Sequence, residues 1–362
     1  MNIAVPSNSC VMQLASLSFF VGACILVRAA FAQPITTTEF AVPAPVRALT
    51  AGTDGNIWFT DVNGAVGRIN MAGAVSLYIQ FAPGTFLPNI AAGPDGNMWV
   101  TEWDQNKIAR VTPSGVVTEF GSGIAPGGWP YGITSGPDGN LWFTEPYANR
   151  IANISTSGLV TDFVVPGPPT EFPWNIVPGP DGNLWFTEGQ GGIGRITPSG
   201  MIPQYALGSA FDGIVVGPDG NLWFTRFSNV NQIGRITVAG AVDQYTIPQR
   251  GLVAPVPGGI AVWNSRVWFT ETDDRLATIT TDGIVTEYTA GISAGAVPTR
   301  AAIGPDGNLW FAQLGRSAIG RASAGLSVTP PAAVPVLHPW CLGILGSLVA
   351  LLGALIRSRR EQ

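Results

Sequence analysis

The sequence predicts an all-β fold, a seven-bladed β-propeller closed by its own N-terminal strand. Three observations predict it. The unit GPDGNLWFTE at Gly136–Glu145 recurs at Gly52, Gly93, Gly179 and Gly217, in degenerate form at Ala261–Glu271, and as Gly304–Gln313. Its tryptophans (Trp58, Trp99, Trp142, Trp185, Trp223, Trp268 and Trp310) lie 38 to 45 residues apart, a period that suits one four-stranded blade. The last repeat lacks an outer strand, and a matching strand, Thr36–Phe40, stands alone ahead of the first repeat.

Taken in order, residues 1–32 read as a secretory signal peptide. Val11–Val27 is mostly apolar, and Ala30-Phe31-Ala32 before Gln33 is a small-x-small cleavage site. Residues 33–322 form the propeller, and each repeat has the same grammar. In the third, a short strand at Gly132-Ile133-Thr134 enters the turn Gly136–Asn140. Proline presets φ at the first central position, aspartate tolerates the second, and glycine accepts φ > 0. The second strand, Leu141–Glu145, is apolar on both faces, which suits a blade sandwiched between two others. A polar loop (Pro146–Asn149), a third strand (Arg150–Ile154), a turn (Ser155–Gly158) and an outer strand (Leu159–Phe163) complete the unit. In the last repeat the third strand, Ala318–Ala322, is left unpaired unless Thr36–Phe40 returns beside it, which leaves no free sheet edge.

Residues 323–333 read as a Pro/Ala/Ser linker. Residues 334–362 read as a sorting motif, a transmembrane helix over Cys341–Ile356, and a basic tail, Arg357-Ser358-Arg359-Arg360. The helix spans ~24 Å at helical rise, and the basic end places the propeller outside the cytoplasm.

Composition excludes several functions. Glycine (46) and proline (30) fall in phase with the tryptophans, so they are turn residues and not a sign of disorder. Net charge is −5, and Lys107 is the single lysine of the chain, so the body lacks the footprint of a nucleic-acid binder. Cys10, Cys24 and Cys341 all lie in the terminal segments, so the repeats hold neither disulfides nor thiolate metal sites.

The units at Pro130–Glu145 and Ile193–Gly200 (IGRITPSG) resemble the virginiamycin B lyase, or streptogramin lyase, family across residues 36–322. That resemblance implies opening of a cyclic depsipeptide by elimination. A histidine takes the α-proton, and Mg²⁺ held by glutamates stabilises the developing charge. The family's Glu-Pro-His-Gly falls on Val297-Pro298-Thr299-Arg300, its second glutamate on the Gln313-Leu314 segment, and its Pro-His on Pro257-Gly258. All three segments depart. The one histidine, His338, lies in the tail. The segment Val334–Trp340 with its helix and arginines resembles the C-terminal sorting signals called IPTL-CTERM. This implies an exported Gram-negative protein held in the membrane or recut by a sorting protease and moved to the surface; an ordinary anchor is the alternative.

The residue three after each tryptophan is Asp61, Glu102, Glu145, Glu188, Arg226, Glu271 or Gln313. These form a ring that could hold a cation, or each pairs with the arginine of the next strand (Arg110, Arg150, Arg195, Arg235) or caps a loop. The second reading is preferred, since a motif repeated in every blade serves the blade. The adjacent threonines, Thr60, Thr101 and Thr144, are expected to bond the ladder. The residues opening the first strands vary: Val46, Asn89, Tyr131, Trp174, Asp212, Gly258 and Thr299, with Arg47 and Arg300 adjacent. They should ring one mouth of the channel, with Trp129, Tyr131, Phe172 and Trp174 as aromatic walls.

The expected function is therefore an exported binding module. Its ligand site is Tyr131, Trp174, Asp212, Thr299 and Arg300, with no catalytic residue, metal or cofactor. A small molecule, peptide or carbohydrate suits it, and the chain is expected to be monomeric. The alternatives are a metal-dependent C–O lyase or lactonase using Mg²⁺ and channel carboxylates, and a structural surface or matrix protein.

Overall fold

In the computed structural model the described residues are 34–168, 172–189, 192–207, 211–226, 231–248 and 256–325. They form seven four-stranded antiparallel sheets, each running from inner to outer strand in chain order except the last. There the strand Ile35–Ala41 pairs with Ala318–Ala324, from Ile35 opposite Ala324 to Ala41 opposite Ala318. The seventh blade is thus shared by both ends of the propeller, as its missing strand predicts. The proposed signal peptide, sorting motif and C-terminal helix lie outside the described residues. Among the described residues no helix is long and apolar enough to cross a membrane.

The repeated unit folds as its chemistry dictates. Gly139 takes φ 78° at the turn, where a side chain would be strained. Asp138 accepts hydrogen bonds from the backbone of Asn140 and from the indole of Trp142, at 3.2 and 2.9 Å. The same aspartate–indole bond recurs at Trp58, Trp99, Trp185, Trp223 and Trp310. Gly136 lies so close to this indole that a Cβ there would sit 2.3 Å from it. Both glycines and the aspartate therefore serve one purpose, seating a tryptophan that is wholly buried.

The degenerate sixth copy solves the same problem differently. Asn264 and Ser265 both take positive φ, making a two-residue hairpin. With no aspartate available, Trp268 donates to the carbonyl of Trp263 at 3.1 Å.

In every blade but the first, where Tyr78 donates to Asp61, the aromatic residue of the outer strand packs on its own blade's tryptophan. Phe40 stacks on Trp310 at 5.4 Å, and Phe120, Phe163, Tyr205, Tyr245 and Tyr288 stack equivalently. Here the structure corrects one expectation. Arg110, Arg195 and Arg235 do not pair with the carboxylate ring; their register partners are Trp99, Trp185 and Trp223. From there Arg195 and Arg235 reach the turn aspartates Asp181 and Asp219. They also donate across to the next blade: Arg110 to Thr156 O, Arg195 to Val238 O, Arg235 to Thr281 O. Arg321 to Met71 O carries the contact from the seventh blade to the first. Arg150 is opposite Glu145 but bonds Asp162.

Two of the ring carboxylates, Asp61 and Glu145, instead cap loops, and Glu188 accepts from the Gln204 side chain. Asp61 accepts from the backbone of Asn63 and Ala65 and from the Tyr78 hydroxyl, and Glu145 accepts from the backbone of Ala125. Among the described residues no group of three or more acidic, histidine or cysteine side chains is placed to hold a metal.

Candidate functional site

The threonine of the Trp-Phe-Thr strand has a role the sequence reading missed. Its hydroxyl does not serve its own ladder alone. Thr144 accepts from Gly132 N in its own blade (2.9 Å) and donates to Trp174 O of the next (2.6 Å). Thr101 likewise reaches Tyr131 O, Thr225 reaches Gly258 O, and Thr270 reaches Thr299 O. The carbonyls gripped are those of the variable residues. The constant hydroxyls thus fix the backbone of the variable positions, and the side chains there are free to differ.

Register shows which residues stand at that level. Pro173 is opposite Glu188, Pro257 opposite Glu271, and Val46 opposite Asp61. Trp174, Gly258 and Arg47 therefore correspond. Arg47, not Val46, is the first blade's contribution, and Val46 is fully buried.

Tyr131, Trp174, Asp212, Thr299 and Arg300 all line one cavity of about 440 Å³, with Arg47, Phe86 and Gly258 among its other walls. That size falls within the range of ligand clefts. Trp129 and Phe172 stand outside it. They belong to a neighbouring aromatic cluster whose hub is Trp103, in ring contact with Phe86, Trp129, Tyr131, Tyr147 and Trp174. Trp103 directly follows the Trp-Val-Thr-Glu of the second repeat, so its position in the repeat marks it. Phe86 lies in a loop outside the repeat grammar, and nothing in the periodicity marks it. Trp129, Phe172 and Val297 each precede a proline at or just before the start of an inner strand, and each holds a positive φ (50°, 47° and 48°). Left-handed backbone at non-glycine residues is strained, and it sits here at the rim.

The polar centre of the cavity is a chain of bonds across the channel. Arg300 donates to Asp212 Oδ1 at 2.8 Å and to the Tyr131 hydroxyl at 3.3 Å. Asn175 donates to the same Asp212 oxygen at 2.9 Å. Burial alone would favour loss of the Arg300 proton, but Asp212 and Tyr131 outweigh it and the pKa rises. Burial also raises the Tyr131 pKa, keeping a neutral phenol at the mouth.

The departures noted in the sequence fall around this cavity. Thr299 and Gly258 line it where the resemblance implies histidines. Gln313 is buried and donates to Glu39 at 2.7 Å.

The virginiamycin B lyase family matches residues 35–252 and 209–336. The chain belongs to this family. A streptogramin B lyase structure is 32% identical with a TM-score of 0.74, covering 80% of this chain and 98% of that one. A catalytically inactive virginiamycin B lyase from Staphylococcus aureus, solved with quinupristin, is 31% identical with a TM-score of 0.73, covering 80% and 99%. An extracellular domain of a two-component system protein from B. thetaiotaomicron shares the fold at 15% identity and TM-score 0.65, covering 82% of this chain and 44% of that chain. No curated protein matches. This virginiamycin B lyase family member thus has a propeller with a walled, charged mouth.

Proposed function

We propose that this family member is an exported ligand-binding propeller that does not perform the elimination. The observation carrying this reading is the Arg300–Asp212 ion pair inside the cavity. Among the described residues Asp212 is the one carboxylate lining the cavity, and Arg300 and Asn175 already engage it. Thr299 offers no base, and an arginine stays protonated.

The residues present do not fit a resident Mg²⁺. Such an ion wants carboxylate oxygens, and the cavity sets two guanidiniums, Arg47 and Arg300, against a single, already paired carboxylate. Gln313 supplies an amide where the resemblance implies a glutamate. Export is supported by the reading of residues 1–32 and by distant neighbours described as extracellular domains.

Thermal denaturation of the full chain with Mg²⁺ and quinupristin, singly and together, tests this reading. A native-state ligand at a hundred times its dissociation constant adds about 2.7 kcal/mol. The expected result is no stabilisation that requires both. A shift with quinupristin that appears only when Mg²⁺ is present would revive the metal-dependent lyase.

A further inference from the structure

Among the described residues three charged side chains line the cavity: Arg47, Arg300 and Asp212. Arg300 and Asp212 satisfy each other. Arg47 stands apart. Its guanidinium lies 4.4 Å over the Phe86 ring, and no hydrogen bond or ion pair to it occurs among the described residues. Its Nε is buried without a partner. The next acidic group, Asp61, directs its oxygens to Asn63, Ala65 and Tyr78. Among the described residues the cavity therefore carries one uncompensated positive charge.

A half-buried guanidinium whose face is covered by an aromatic ring still offers its N–H edge. Buried donors without partners are rare in proteins, and guanidinium edges match carboxylates in a bidentate geometry. The remaining surface is mostly apolar, with Trp174 and Tyr131 in edge contact at 4.7 Å. From this geometry we infer that the ligand is a small organic acid with a flat apolar or aromatic body. Its carboxylate pairs with Arg47, and its body lies against Trp174 and Phe86. The inference rests on the binding reading above and adds the ligand class.

The test is a calorimetric titration of the full chain with 2-naphthoate and with 2-naphthamide, which has the same body without the charge. The acid is expected to bind at least tenfold tighter, with an affinity that falls as salt rises. Arg47→Met should bring the acid to the amide's affinity, and Arg47→Lys, which keeps the charge, should restore part of the difference. Equal affinities in the wild type overturn the inference alone, as does binding of neither compound. Mg²⁺-dependent ring opening of quinupristin overturns the reading beneath it.

Discussion

The hydroxyl of Thr144 donates to the carbonyl of Trp174 at 2.6 Å, from the repeated strand of one blade to the variable strand of the next. This bond links the sequence's most regular feature to its least regular one. Thr144→Val removes it, while Gly132 N still donates directly to the Trp174 carbonyl at 3.1 Å. We predict a loss of about 0.5–1.5 kcal/mol in denaturant unfolding, and Thr144→Ser should recover most of it.

Closure by Ile35–Ala41 predicts a second outcome. Phe40 stacks on Trp310 and packs over Gly73 of the first blade, where a Cβ would lie 2.0 Å from its ring. Phe40→Ala should cost about 1.5–3 kcal/mol, read as a fall in melting temperature. An equivalent loss is expected from deleting the turn contact with Gly73→Val, which forces the ring away.

Stability should depend on pH in two opposite ways. The turn aspartates, Asp54, Asp95, Asp138, Asp181, Asp219 and Asp306, are subject to burial, which raises their pKa. Hydrogen bonds from tryptophan and asparagine outweigh it and hold them below the ordinary 3.8. The unfolded state then binds more protons, so this stabilisation is present above pH 3.8 and lost as pH falls through the folded values. Glu102 runs the other way. Burial first, then Glu119, pushes it from 4.5 to about 7. Its folded form holds the proton longer, so its contribution is complete below pH 4.5 and is lost as pH rises towards 7. Maximum stability should therefore fall on the acid side of neutrality. Melting curves of Glu102→Gln should show a flatter decline between pH 4.5 and 7 than the wild type.

The Arg300–Asp212 pair gives a fourth prediction. Asp212→Ala leaves Arg300 with a single polar partner among the described residues, the Tyr131 hydroxyl. It should cost about 1.5–3 kcal/mol, and Asp212→Ala with Arg300→Met should cost less than the sum of the two in a double-mutant cycle.

Blades were legible because each repeats a local solution. Gly136, Asp138, Gly139 and Trp142 satisfy one another within seven residues, so their purpose survives in a linear pattern. What is not local was misread. The arginines of the third strands look, in sequence, like partners for the nearby carboxylates. Their true partners are the tryptophan across the ladder and a turn some 45 residues ahead, such as Thr156 O for Arg110. The five predicted mouth residues meet in one cavity because position in the repeat fixes height along the channel. Arg47 was displaced by one residue because Pro45 stands one place earlier in its repeat than Pro130, Pro173 and Pro298 do in theirs, although Arg47 keeps the spacing to Trp58 that Tyr131, Trp174 and Thr299 keep to their tryptophans. Phe86 comes from a loop that follows no period, so only the folded chain brings it beside Arg47.

The most direct measurement of the central claim is chromatography with mass analysis of quinupristin after prolonged incubation with the full chain and Mg²⁺. Elimination would give a ring-opened isomer of unchanged mass but altered retention, and hydrolysis would add one water. A mouth built on the Arg300–Asp212 pair, without a histidine, predicts unaltered quinupristin. Either product, formed by the wild type and lost in Asp212→Asn, would contradict it.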